Sequence, residues 1–221
     1  MASTVLITGA NRGVGLALSR HYHDQGWDVI GVCRNASHEL AEVASRLIED
    51  VDVTRDEDVA HLAEVLKGQP LDLLINNAGV LHDESLGQID FDTTREQMEI
   101  NAYAPLRVTE ALLGNLGEGG KIANITSRMG SMTDNDSGGR YGYRASKAAL
   151  NAFGRSLAMD LQPRGIAVAQ IHPGYVKTRM VNFGGMITPE EAAAGIAGRI
   201  EALTLETTGG FWHSNGEPLP W

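Results

Sequence analysis

From end to end the chain alternates between short apolar runs and longer stretches with helical spacing. The runs are Val5-Leu6-Ile7, 28–33, 46–51, 71–75, 121–126, 166–171 and 209–212. They are too short for helices, and Gly, Asn, Asp or Pro commonly bounds them, which is how strands buried on both faces read. Parallel neighbours need a long crossover between them, and the intervening segments supply it as helix. The expected fold is therefore α/β: a doubly wound sheet of seven parallel strands with helices on both faces. A length of 221 residues suits one such domain, spanning 1–221.

Ligands of open parallel sheets collect at the carboxyl ends of the strands. The first strand runs into Thr8-Gly9-Ala10-Asn11-Arg12-Gly13-Val14-Gly15, after which Leu16, Ala17, Leu18 and Tyr22 recur at helical spacing. Strand, glycine turn and helix together make a pyrophosphate site, because the turn lets the backbone approach and the helix start offers N–H groups. The spacing is Gly-x-x-x-Gly-x-Gly, so the commoner dinucleotide fingerprint is met in its logic rather than its letter. At the end of the second strand, where an acidic residue would bind a ribose 2′-hydroxyl, the chain has Arg34. Asp28 sits at the opposite end and cannot substitute. Arg34 and Arg12 can bracket a 2′-phosphate, which favours NADP(H) and leaves NAD(H) possible.

Other strand ends carry polar and small residues: Asn76-Asn77-Ala78-Gly79, Ser127, and His172-Pro173-Gly174-Tyr175-Val176-Lys177-Thr178. A polar helix is expected over 37–44. Thr54 with Glu57, and Thr93 with Glu96, have capping-box spacing, while Thr188-Pro189-Glu190-Glu191 combines an N-cap, a first-turn proline and an N3 glutamate. Pro105 predicts a kink or restart of its helix near Asn101. A helix over 142–161 carries Tyr143 and Lys147 four residues apart and so on one face. A lysine cation beside a phenol favours the phenolate and turns a group of pKa near 10 into a proton donor or acceptor usable near neutrality. Tyr141 lies close by but has no lysine at that spacing.

Composition excludes other classes. A formal charge of −10 and no Lys/Arg cluster argue against a nucleic-acid partner. The single cysteine, Cys33, forms no intramolecular disulfide and reads as a buried strand thiol. His21 and His23 point to different sides of a helix, and no metal-ligand motif appears, so no metal is expected. Met1-Ala2-Ser3-Thr4 runs straight into a strand without a leader or membrane span, giving the expectation of a cytoplasmic protein with no membrane partner.

With these residues assembled, the chain resembles the short-chain dehydrogenase/reductase family over nearly its whole length. Thr8 to Gly15 resembles its cofactor turn, Asp52-Val53 its adenine-contacting pair, Asn76 to Gly79 its Asn-Asn-Ala-Gly motif, and Pro173-Gly174 with Val176 and Thr178 its nicotinamide-side segment. Asn101, Ser127, Tyr143 and Lys147 fall where its catalytic tetrad is expected. The resemblance implies a Rossmann sheet of order 3-2-1-4-5-6-7. It also implies cofactor contacts at Gly9, Asn11, Arg12, Gly13, Val14, Gly15, Arg34, Asp52, Val53, Asn77, Ala78, Gly79, Tyr143, Lys147, Pro173, Gly174, Val176 and Thr178.

Ala-Asn-Arg-Gly, Cys-Arg-Asn, the Ser-Gly-Gly-Arg-Tyr-Gly-Tyr-Arg-Ala-Ser-Lys run and Leu-Pro-Trp look most like the C-factor and sniffer-type carbonyl reductases. The implied activity is NADPH-dependent reduction of an aldehyde or ketone, with the proton coming from Tyr143 and Ser127 orienting the carbonyl. Lys147 would lower the tyrosine pKa and hold the ribose, and Asn101 would fix a water. Alternatives are a C-factor-like cofactor-binding signalling protein and an NAD-dependent alcohol dehydrogenase. A sugar-nucleotide epimerase is disfavoured because such relatives add a substrate domain. Met129, Met132, Tyr175, Met180, Phe183 and Met186 are expected either to line an apolar pocket for a small carbonyl compound or to form satellite core. Homodimer, homotetramer and monomer all remain compatible with the sequence.

Overall fold

The computed structural model describes residues 2–221; Met1, where the reading of the amino terminus begins, lies outside them. Seven strands form one sheet: β1 (Thr4–Thr8), β2 (Asp28–Val32), β3 (Arg46–Ile48), β4 (Leu71–Asn76), β5 (Leu116–Ile125), β6 (Ala167–His172) and β7 (Phe211–His213). Their order is β3-β2-β1-β4-β5-β6-β7, with every neighbouring pair parallel, as expected. The helices are α1 (Gly13–Asp24), α2 (His38–Val43), α3 (Asp56–Val65), α4 (Phe91–Met98), α5 (Ala104–Ala111), α6 (Tyr141–Leu161) and α7 (Pro189–Glu201).

Alternation along the strands divides the core in two. Val5, Ile7, Val29, Leu73, Ile75, Ala123 and Ala169 face α1, α2 and α7 through Leu18, Leu40 and Ile196. Leu6, Ile30, Leu74, Ile122 and Val168 face α3, α5 and α6 through Leu62, Val108 and Leu161. Because both faces are covered, β1 is buried along its whole length. Cys33 is buried too.

Local signals decide the helix starts unequally. Ser37 caps α2 by accepting from Leu40 N at 3.2 Å, and Thr188 with Glu191 forms a complete capping box on α7. The other two expected boxes do not form. Thr54 Oγ1 instead donates to Asp52 Oδ1 at 2.8 Å, Glu57 turns to Arg55 Nε at 3.0 Å, and α3 begins later, at Asp56. Asp90, a stronger N-cap, accepts from Asp92 N at 2.8 Å and starts α4 ahead of Thr93, which is left inside the first turn. The break near Asn101 is present as a π-helical turn over Glu99–Tyr103. Pro105 has no N–H to return to the Asn101 carbonyl, so the α-ladder cannot run through this point. Strand β5 starts earlier than expected because Leu116 already pairs with Leu71 of β4.

Candidate active site

The carboxyl ends of β1, β4, β5 and β6 meet in one place. Thr8 closes β1, and its hydroxyl accepts from Asn77 N (3.1 Å) and Ala78 N (3.2 Å). Asn77 returns its amide to the carbonyls of Thr8 (3.0 Å) and Gly9 (3.2 Å). This contact requires glycines. Gly9 has φ +64 and a Cβ there would stand 2.9 Å from Ala78 Cα, while a Cβ on Gly15 would stand 2.3 Å from Gly9 O. Gly13, with φ +55, faces Thr178 from the segment after β6, 3.4 Å from the position of a Cβ. The turn thus brings bare backbone to the start of α1, which fits a dinucleotide pyrophosphate.

Around this turn, Asn11 Nδ2 donates to Asn35 O at 2.8 Å, Arg12 is exposed, and Val14 is half-buried. Arg34 stands 4.0 Å from Asp52 with its side chain largely in solvent. Asp52 is held below its ordinary carboxylate range: burial works against ionisation, but hydrogen bonds from Thr54 and the charge of Arg34 outweigh it. Val53 is half-buried beside it. Gly174 has φ +93 and touches Ile187, and Val176 is buried in a bridge to Ile187. Pro173 and Thr178 are half-buried on the same segment.

The four tetrad positions come together in the structure. Tyr143 is 8% and Lys147 5% exposed, and the Lys147 Nζ lies 5.9 Å from the tyrosine ring centroid. Lys147 Nζ donates to Ile125 O at 2.8 Å at the end of β5, and Ser127, whose Oγ accepts from Met129 N at 3.1 Å, favours ionisation of the Tyr143 phenol. Asn101 is fully buried: its Nδ2 donates to Val80 O (2.9 Å) and Ser146 Oγ (3.0 Å), while its Oδ1 accepts from Val80 N (2.9 Å). A Cβ at Gly79 would lie 3.2 Å from Asn101 Oδ1 and 3.7 Å from Lys147 Nζ, so the segment after β4 connects the glycine turn to the tetrad. Tyr141, the neighbouring tyrosine, is exposed at the helix start.

One expectation needs correction. Lys147 does not set the ionisation of Tyr143 in the protein alone: burial raises the phenol, and the lowering influences are Ser127 and Arg140. Burial pushes Lys147 itself down to about 7, so it is only partly charged at neutrality. Both amide hydrogens of Asn101 go to protein, and its main-chain carbonyl receives no N–H from Pro105.

Several features were invisible in the sequence. Asn76 turns away from the ligand side and donates to Asn124 Oδ1 (2.9 Å) and Thr109 Oγ1 (3.0 Å); Asn124 then donates to Gln170 Oε1 (3.1 Å), a buried amide ladder across β4, β5 and β6. His172 and His213 meet edge to face at 4.9 Å. Burial first, then His213 and Arg128, push His172 down to about 3. Ser131 Oγ and Thr133 N both donate at 3.1 Å to the main-chain oxygen of Trp221, tying the loop after Ser127 to the carboxyl-terminal segment. Met132, Tyr175, Met180, Phe183 and Met186 are exposed and so are not satellite core, while Met129 is half-buried. Among the described residues, no group of three or more His, Cys, Asp or Glu could hold a metal, and no helix is long and apolar enough to cross a membrane.

Residues 3–184 match the family model described as short chain dehydrogenase. The 1-hydroxy-2-glutathionyl-2-methyl-3-butene dehydrogenase of Rhodococcus sp. strain AD45 is 45% identical over 225 residues, covering 99% of this chain and 100% of that protein. The C-signal of Myxococcus xanthus is 41% identical over 155 residues, 69% of this chain and 93% of that one. The crystal structure of an NADPH-bound carbonyl reductase from chicken fatty liver superposes with a TM-score of 0.89 at 30% identity, covering 100% of this chain and 99% of that chain. The expected kinship with C-factor-type and carbonyl-reductase members is borne out.

Proposed function

The chain belongs to the short-chain dehydrogenase/reductase family, an oxidoreductase acting between CH–OH and carbonyl groups with a nicotinamide cofactor, and from that premise we propose that it is an NADPH-dependent reductase of aldehydes or ketones. The observation that carries this reading is the buried Tyr143 with Lys147 Nζ 5.9 Å from its ring centroid on the same helix, and Gly79 beside both Lys147 and Asn101.

The bound dinucleotide supplies the hydride. Tyr143 is protonated at neutral pH, as a donor must be, and gives its proton to the carbonyl oxygen on which negative charge develops. Ser127 hydrogen-bonds the same oxygen, a contact worth about 3 kcal/mol in a transition state. Lys147, titrating at about 7, exchanges protons near neutrality and can replace the one that Tyr143 loses. Asn101 holds the segment at Val80 in register with α6 through Ser146. Selectivity for NADPH rests on Arg12 and Arg34, both exposed and free to turn to a 2′-phosphate. The glycine turn with Asn77 and Ala78, Asp52-Val53, and the segment Pro173 to Thr178 make up the rest of the cofactor bed.

Oxidation of an alcohol is the second reading, favoured by the Rhodococcus relative, whose name is that of a dehydrogenase. One experiment addresses both. NADPH oxidation over a chemically diverse carbonyl panel should show turnover, and Tyr143→Phe should lower kcat by at least about 100-fold while NADPH still binds. Turnover only with NAD and alcohols would establish the second reading. A C-signal-type role independent of catalysis predicts instead a biological effect that survives Tyr143→Phe and is lost on altering Gly13.

A further inference from the structure

The catalytic helix α6 begins without a cap of its own. Arg140 occupies the N-cap position in a left-handed conformation, φ 51, and its side chain makes no capping bond. Its guanidinium goes to Asp83 instead. The open N–H groups at such a start need acceptors, and here they face Glu84, on the segment after β4 and far away in sequence.

Glu84 is 5% exposed, a degree of burial that a carboxylate tolerates only with full hydrogen bonding. Its main-chain oxygen accepts from Arg140 N at 2.9 Å and its Oε2 from Gly142 N at 2.8 Å. Its Oε1 accepts from Gln97 Nε2 at 2.6 Å and lies 3.4 Å from Thr94 Oγ1. A Cβ on Gly142 would fall 2.6 Å from both Gln97 Nε2 and Glu84 Oε1, so glycine is what lets the carboxylate reach the helix. The orientation of Gln97 is fixed, because its Oε1 accepts from His82 N at 2.9 Å. Both oxygens of residue 84 therefore face donors. A carboxylate satisfies both, and an amide cannot.

We propose that Glu84 is a positioning residue for Tyr143, holding the first turn of α6 so that the phenol stays in place for proton transfer. Tyr143 follows Gly142 directly, and loss of a cap frays the first turn of a helix rather than its body. The inference rests on the reading of Tyr143 as the proton donor.

The test compares Glu84→Gln, the double variant Glu84→Gln/Gln97→Glu, and Tyr143→Phe in the full chain. Glu84→Gln sets donor against donor. The double variant exchanges amide and carboxylate and restores every bond in mirror order. We expect Glu84→Gln to lower kcat about tenfold with the NADPH dissociation constant within about twofold of native, and the double variant to recover kcat to within about threefold. Native kcat in Glu84→Gln overturns the inference. So does a double variant that folds yet stays slow, or that fails to fold. An active Tyr143→Phe overturns the underlying reading of the tyrosine, an outcome separate from either of these.

Discussion

Asn101 and Val80 are bonded in both directions, the side-chain amide of one reading the N–H and the C=O of the other at 2.9 Å each. A strand-like pairing is thereby made by a side chain, at a point where the helix carrying Asn101 is itself interrupted. The third bond of Asn101, to Ser146, extends the grip to α6.

Asn101→Ala removes all three bonds and leaves a buried gap. The expected cost is about 1 to 3 kcal/mol, which in a chain of this size lowers Tm by about 2 to 4 °C for each kcal/mol. Thermal unfolding of the cofactor-free protein measures it, and an unchanged Tm would mean that the clamp contributes nothing.

Arg34→Asp replaces the cation near Asp52 by a second anion. NADPH affinity should fall on the order of 10-fold or more while NADH affinity holds or improves, since only the former carries the 2′-phosphate. Fluorescence titration with both cofactors is the measurement; equal affinities in the native protein would remove the role given to Arg12 and Arg34.

Lys147 makes the stability of the cofactor-free protein depend on pH. Its pKa is about 7 when folded against an ordinary 10.5, so between these values the unfolded chain binds the extra proton. Stability should therefore rise with pH across that window, by up to about 1.4 kcal/mol per pH unit. Below pH 7 the burial penalty stands in full. Lys147→Met should flatten the rise in denaturant melts at a series of pH values, and an unaltered slope would assign it to another group.

Gly154→Ala places a methyl group 2.0 Å from Gln170 Oε1 and 3.0 Å from Asn124 Nδ2, inside the amide ladder. Overpacking of this kind costs about 1 to 3 kcal/mol. Combining it with Gln170→Ala should cost less than the sum of the two single changes, because the truncation makes room. Strict additivity in urea unfolding would show that the ladder and the helix do not press on one another.

The sheet was legible because its strands are buried on both faces and so read as apolar runs, and Tyr143 and Lys147 were legible because four residues make one helical face. The electrostatics between them were not, since spacing conveys distance along a helix but nothing about how thoroughly water is excluded. Glu84 sits in a stretch without periodicity, and its partners Gln97 and Gly142 are distant in sequence; no local pattern marks a cap lent by another segment. Asn76 read as one more polar residue at a strand end, because its turn inward toward Asn124 depends on strand register. Thr54 and Thr93 had the right spacing for caps, but Thr54 donates to Asp52 instead and α4 is capped by Asp90, a stronger acceptor.

The segment from Asn77 to Glu84 is fastened to the glycine turn through Asn77, to Asn101 at Val80, to α4 through His82 and Gln97, and to α6 through Glu84. Loops ordinarily absorb insertions and substitutions cheaply. This one does not have that freedom, because a residue gained or lost within it would displace the glycine turn from α6 while leaving each intact. A loop with no regular structure thus carries the mutational intolerance of a core strand, and a variant altered there would fold and bind its cofactor yet turn over poorly.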